Sequence, residues 1–267
     1  MNYGVSNMKK TVSSLKAMKG KEKITMITAY DALFANLFQK ADILLVGDSL
    51  NMSFAGQKDT LNISIDEMIY HTNAVCQGAK DTFVVCDMPF GTYIDEKTAL
   101  KNSVKVYQQT NADAIKIEGG KEKADLIKAL TSNSIAVMAH IGLMPQFVRS
   151  EGGYKIKGKD DENIASLVED AISLEAAGAF AIVVEGVKPK AALAITQAVK
   201  IPTIGIGAGA NTDGQVLVWS DMFGLNTEFK PKFVRTYLDG AELFKKGVDS
   251  YIKDVKNGSF PDENEVY

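Results

Sequence analysis

Eight short apolar runs recur along the chain, near residues 24–29, 42–47, 82–87, 113–118, 135–140, 180–185, 202–206 and 215–219. Helix-period segments separate most of them. Runs this short and this continuously apolar suit parallel strands buried on both faces. Eight strand–helix units predict an α/β fold, the (β/α)8 or TIM barrel, and 267 residues is an ordinary length for one such barrel. Residues 8–19 predict an additional helix ahead of the first strand. With no linker, repeat or low-complexity tract, a single domain over residues 1–267 is expected. A doubly wound sheet is the alternative, but its early G-x-G-x-x-G fingerprint is missing.

The helices carry local start and stop signals. Ser64 and Glu67 form an S-x-x-E capping box before residues 65–79, with Ile63 and Met68 spaced as a hydrophobic staple. Between 160 and 178, Ile164, Leu167, Val168, Ala171 and Ile172 make one stripe, and Gly178 is placed to stop the helix. Residues 97–111 and 121–131 are helical in pattern. A longer amphipathic helix is expected over 232–255, carrying Phe233, Tyr237, Ala241, Phe244, Val248 and Ile252. The stretch 141–160, with Gly142, Gly152, Gly153 and Gly158, is too long for an ordinary strand-to-helix loop and reads as a functional lid.

Charge and cysteine usage exclude several classes of partner. A net charge of −3, with lysines and arginines dispersed, leaves no basic footprint for nucleic acid. Cys76 and Cys86 have neither CxxC spacing nor a histidine partner, which argues against a disulfide framework and a structural zinc site. No apolar stretch approaches the roughly 18 residues of a membrane span, and residues 1–20 lack a signal-peptide core, so a cytoplasmic location is expected.

The chemistry should lie where the strands end. "ILLVGDSLNMS" ends its apolar run at Gly47, Asp48 and Ser49; "TFVVCDMPF" reaches Asp87, "AIKIEGG" Glu118, and "AIVVEGV" Glu185. On strands two, three, four and six of a barrel, these carboxylates would meet at the catalytic mouth. Crowded carboxylates repel one another unless a cation joins them, and oxygen ligands select Mg2+ or Mn2+ over zinc. Lys116 shares a face with Glu118 and either pairs with it or binds an anionic substrate. His140, at the end of "AVMAHIG", is open to a structural or a catalytic role, and His71 is placed mid-helix. "IGIGAGANTDGQ", residues 204–215, has the look of a glycine-rich phosphate loop, though its glycines equally suit tight turns.

The ordered motifs "LLVGDSL", "DTLNISIDEMIYHT", "CDMPFGTY", "AIKIEGG", "AHIGLMPQ", "GGYKIKGK", "EAAGAFAIVVEGV", "IPTIGIGAGANTDGQVLV" and "PKFVRTY" closely resemble the ketopantoate hydroxymethyltransferase family over about residues 43–237. That resemblance implies a phosphoenolpyruvate-mutase-like barrel assembled as a homodecamer. It implies transfer of a hydroxymethyl group from 5,10-methylenetetrahydrofolate to 3-methyl-2-oxobutanoate through a Mg-stabilised enolate, a step of pantothenate biosynthesis. It further implies one Mg2+ per subunit on Asp48, Asp87 and Glu118. The 2-oxo acid would lie against Asp48, Ser49, Asp87 and Lys116, with Glu185 as proton acceptor. Two positions depart from the usual pattern: Met144 stands where the family usually has Thr, and Gly186-Val187-Lys188-Pro189 replaces a common Cys-Val-Pro run. Related lyases and phosphonomutases often use a cysteine in a catalytic loop, which neither Cys76 nor Cys86 supplies. A non-catalytic acid-binding barrel is a further rival, and the costly set of buried charges argues against it.

Overall fold

The computed structural model describes residues 9–228 and 230–267. Eight parallel strands close into a barrel in sequence order: β1 (Ile24–Thr28), β2 (Ile43–Val46), β3 (Phe83–Asp87), β4 (Ala114–Glu118), β5 (Val137–Gly142), β6 (Ala181–Glu185), β7 (Thr203–Ile206) and β8 (Gly214–Leu217). The expected (β/α)8 architecture is therefore the one observed. The chain packs as two compact units, one ending at Val218 and one comprising Trp219–Tyr267.

In the first unit, helix α1 (Val12–Met18) precedes β1 and is shorter than the expected 8–19, whose residue 8 lies outside the described residues. It places Leu15 and Met18 in the apolar core with Ile24, Met26, Ile43, Leu45, Phe83, Val85, Ala114, Met138, Val183 and Val216. The helices α2 (Ala32–Phe38), α3 (Leu50–Ser53), α4 (Ile65–Gly78), α5 (Glu96–Gln109), α6 (Ala124–Ser132), α7 (Asp161–Ala176) and α8 (Pro189–Ala198) connect the strands, with α3 and α4 both between β2 and β3 and β7 followed directly by β8.

Local chemistry sets the ends of these helices. At α4 the capping box closes both ways: Glu67 N–H donates to Ser64 Oγ at 3.3 Å, and Ser64 N–H donates to Glu67 Oε2 at 2.8 Å. At the end of α7, Gly178 adopts φ of +98°, its N–H donating to the Glu175 carbonyl and that of Ala179 to the Leu174 carbonyl. These two bonds make a Schellman motif, which glycine enters without the Cβ penalty.

In the second unit, α9 (Trp219–Met222) is followed by α10 (Gly240–Asn257), which starts eight residues later than the periodicity over 232–255 suggests. The reason lies in the backbone. Tyr237 N–H donates to the Met222 carbonyl and Gly240 N–H to that of Phe223, holding residues 231–239 non-helical. Apolar spacing is blind to that competition. No helix among the described residues is long and apolar enough to cross a membrane.

Candidate active site

Side chains in a strand alternate between faces, and in this barrel the inward phase passes from apolar to charged as the strands rise. On β3 it runs Phe83, Val85, Asp87; on β4, Ala114, Lys116, Glu118; on β6, Ala181, Val183, Glu185. The lower members of each series belong to the core. On β5 the same phase carries Met138 and then His140, because the strand continues to Gly142 rather than ending at His140. Gly142 permits that continuation: a Cβ there would sit 2.3 Å from the Glu185 carbonyl oxygen. His140 therefore pairs with Glu118 across the β4–β5 ladder, inside the barrel.

Asp48 reaches the same place from the turn beyond β2, and its backbone N–H donates to Asp87 Oδ2 at 3.1 Å. Lys116 Nζ stands 2.7 Å from Asp87 Oδ1 and 3.9 Å from Glu118 Oε1. Its close partner is thus the carboxylate opposite it on β3, rather than the one two residues along its own strand. The same ammonium lies 3.1 Å from His140 Nδ1, while His140 Nε2 lies 3.3 Å from Glu185 Oε2. Ser49 Oγ shares a 2.9 Å hydrogen bond with Tyr30 Oη. His71 is remote from this cluster in chemistry: its Nδ1 meets the Tyr30 carbonyl at 2.6 Å.

Burial sharply divides these groups. Asp48, Asp87, Lys116, Glu118 and His140 each expose 4 % or less, whereas the Glu185 side chain exposes 21 %. Burial, then the Asp87 and Glu118 charges, push the Asp48 carboxyl well above its ordinary value. Burial likewise raises Asp87 against the pull of Lys116. Burial would also raise Glu118, but His140, Lys116 and the Gln146 amide outweigh it and hold that carboxyl low. Burial lowers Lys116, yet the three carboxylates overcome it and raise the ammonium above its usual range.

For His140, burial and Lys116 push the ring's pKa down, and the Glu118 and Glu185 carboxylates pull it up to about 9. A doubly protonated ring would set Nδ1–H against the ammonium at 3.1 Å. That contact opposes the upward shift and favours a neutral ring whose Nδ1 accepts from Lys116, with Nε2 lying 3.3 Å from Glu185 Oε2.

Two uncharged residues complete the cluster and carry no sequence signal for it. Gln146, from the loop after β5, donates from its backbone N–H to Glu118 Oε2 at 3.0 Å. Its Nε2 donates to Asp48 Oδ2 at 2.8 Å and to the Met88 carbonyl at 3.0 Å, and its Oε1 accepts from Tyr93 Oη. Every polar group of that side chain is used. Gln146→Leu should therefore strand the Tyr93 hydroxyl and one Asp48 oxygen at about 1–3 kcal/mol each. A fall in unfolding free energy of about 2–6 kcal/mol, measured by chemical denaturation, is the expected result.

The stretch 143–160 is tied over the mouth at several points. Lys157 N–H donates to the Gly186 carbonyl at 2.9 Å and Arg149 Nη2 reaches Asp59 at 3.0 Å, while within the stretch Lys157 Nζ pairs with Glu151 at 2.6 Å. Gly186 itself sits at φ +55°, where a Cβ would press within 2.8 Å of Leu143 Cβ.

The donor set fits a hard divalent cation. Asp48, Asp87 and Glu118 place three carboxylates in a buried space shared by the Lys116 ammonium, and Glu118 Oε1 is buried without a hydrogen-bond partner. Burial is the first cause of the upward shift of Asp48, and the neighbouring Asp87 and Glu118 charges add to it. In their present arrangement, no group of three or more His, Cys, Asp or Glu side chains among the described residues is placed to hold a metal ion. Lys116 and Gln146 stand between the carboxylates instead. Burial pushes the thiols of Cys76 and Cys86 up to about 11 and about 12, so neither is a thiolate nucleophile at neutral pH.

Solved structures of similar shape define the class of barrel. The chain is similar to a phosphoenolpyruvate phosphomutase from Streptomyces platensis subsp. rosaceus, with a TM-score of 0.62 and 14% identity over 93% of this chain and 88% of that one. It is also similar to 2,3-dimethylmalate lyase, a member of the PEP mutase/isocitrate lyase superfamily, with a TM-score of 0.59 and 15% identity over 96% and 91% of the two chains. At those identities the likeness is one of fold alone, a TIM barrel.

Sequence comparison narrows the class to a family. Residues 9–263 match the family model for ketopantoate hydroxymethyltransferase, and the chain belongs to that family. A relative from Aliarcobacter butzleri, 3-methyl-2-oxobutanoate hydroxymethyltransferase, is 65% identical over 97% of both chains. The protein of the same name from a Nitratiruptor species is 59% identical over 96% of this chain and 98% of its own.

Proposed function

We propose that this chain transfers a hydroxymethyl group from 5,10-methylenetetrahydrofolate to 3-methyl-2-oxobutanoate, giving 2-dehydropantoate, with a divalent cation, Mg2+, held by Asp48, Asp87 and Glu118. Membership of the family supports the reaction. The observation that carries the chemistry is the contrast in burial: a sunken charged cluster with one carboxylate, Glu185, open at its edge.

The hard step is removal of the proton on C3, adjacent to the ketone. A bound divalent cation would supply Lewis acidity to the 2-oxo acid. Lys116 and Ser49 would hold the substrate's oxygens, and the ammonium's fixed charge would stabilise the negative charge that develops as the C3–H bond breaks. Glu185 would take the C3 proton, with His140 Nε2–H orienting its carboxylate. The C3–methylene bond then forms as one of the methylene's two carbon–nitrogen bonds to the folate breaks; water displaces the second nitrogen and supplies the hydroxyl oxygen, and the two folate nitrogens take up one proton from C3 and one from water. Placement in the cytoplasm and assembly as a homodecamer complete the reading.

The reading is tested by incubating the purified chain with Mg2+, 3-methyl-2-oxobutanoate and methylenetetrahydrofolate. Formation of 2-dehydropantoate supports it, and turnover of neither substrate opposes it. Lys116→Ala should cost about 1.5–3 kcal/mol, the worth of a charge-assisted hydrogen bond, or roughly 10- to 150-fold in kcat/KM for the 2-oxo acid. Unchanged kcat and KM would leave Lys116 as a structural counter-ion to Asp87.

A further inference from the structure

Beside the buried charges lies a cleft of about 310 Å³ lined by Leu61, Asn62, Phe90, Gln146, Arg149 and Ser150. Three segments of the barrel mouth build it: the stretch between α3 and α4, the stretch after β3, and the loop after β5. Gln146 is the common wall. Its Nε2 holds Asp48 while the same side chain borders the cleft, so an occupant lies one side chain from the carboxylates.

The lining has the chemistry of a site for a flat, polar-edged ring. Phe90 leaves 55% of its surface uncovered, an aromatic face available for stacking. Asn62 Oδ1 accepts from Asn51 Nδ2 at 2.5 Å, which fixes the amide and leaves its N–H groups as donors. At the rim, Arg149 meets Asp59 through Nε and Nη2 at 3.3 and 3.0 Å, and its side chain is 74% exposed. A few polar groups on an apolar wall are the usual make-up of a small-molecule site, and 310 Å³ is at the small end of the range for drug-sized ligands.

The charged cluster accounts for the 2-oxo acid but not for the carbon donor, whose methylene must reach C3 from outside that cluster. We propose that this cleft is the subsite for the reduced-folate donor. Its two-ring pterin stacks on Phe90 and accepts from the Asn62 amide. The benzoyl-glutamate tail is too large for the remaining volume, so it leaves past Arg149, whose outward guanidinium meets its carboxylates. This assignment rests on the proposed reaction and adds the residues that would recognise its second substrate.

The test separates the two substrates. In D2O with Mg2+ and no folate, exchange of the C3 hydrogen of 3-methyl-2-oxobutanoate reports the first half alone; KM for methylenetetrahydrofolate reports the cleft. Phe90→Ala should raise that KM about tenfold or more, the usual scale for losing one aromatic stacking platform. Its C3 exchange should stay within about twofold of wild type, which also shows that the variant is folded, and Phe90→Tyr should restore the folate KM. A Phe90→Ala enzyme with wild-type folate KM and intact exchange overturns the subsite. So does one whose exchange falls together with folate use, because Phe90 then serves the 2-oxo acid. A wild-type protein that neither exchanges nor transfers defeats the underlying reaction and the subsite with it.

Discussion

Asp48→Asn is expected to lower kcat/KM by roughly a thousandfold, the scale on which loss of a single preorganised electrostatic group falls, while leaving the metal-free barrel at least as stable as wild type. The second half of that expectation follows from the sign of the shift. The folded-state pKa of Asp48 is raised, by burial first and then by Asp87 and Glu118. A raised carboxyl loses stability as pH climbs above its unfolded value near 4, because ionisation is harder in the fold than in the open chain. Removing the charge removes that penalty. Asp87→Ala should be equally inactive but much less stable. It strands the Lys116 ammonium 2.7 Å away, and an orphaned partner of a buried ion pair costs about 3–5 kcal/mol. Thermal unfolding with and without Mg2+ reads both effects. A wild-type melting point that rises with Mg2+ and an Asp48→Asn melting point that does not would locate the cation on Asp48. Equal Mg2+ stabilisation of the two would remove Asp48 from the ligand set.

Glu185→Gln is the second large effect. Glutamine keeps the size of the side chain that lies 3.3 Å from His140 Nε2, but it cannot take a proton. The variant should bind Mg2+ and 3-methyl-2-oxobutanoate with near-normal affinity and lose C3 hydrogen exchange by about a hundredfold or more, the contribution typical of a positioned general base. Wild-type exchange would transfer the role to His140. Lost Mg2+ affinity with lost exchange would make Glu185 a ligand.

What the sequence revealed, and what it hid, follows from how each residue acts. The barrel strands were legible because both of their faces are buried, so each is a compact apolar run. Asp87, Lys116, Glu118 and Glu185 were legible because a charge on the inward phase of such a run has few reasons to be there. The partner of Lys116 was not: Asp87 lies opposite it through the β3–β4 register, which no single strand displays. His140 was placed at a strand end and instead lies two residues inside β5, since the glycine that lets the strand continue reads as a loop residue. Gln146 and Tyr93 were hidden most deeply. Both occur in quoted motifs, yet an amide and a phenol cost little on a surface, and only the fold of their loops brings them onto Asp48 and Glu118. The late start of α10 has the same origin, in backbone bonds to α9 that side-chain spacing does not encode.

The central claim is that this site makes a carbon nucleophile of the 2-oxo acid before any one-carbon donor takes part. Proton NMR of 3-methyl-2-oxobutanoate in D2O with the unmodified protein and no folate measures that step alone. The account predicts that the C3 methine signal disappears at a rate proportional to protein, that chelating the divalent cation stops the loss, and that restoring Mg2+ resumes it. A methine signal that persists with Mg2+ and protein present, under conditions where full transfer to 2-dehydropantoate proceeds, would contradict it.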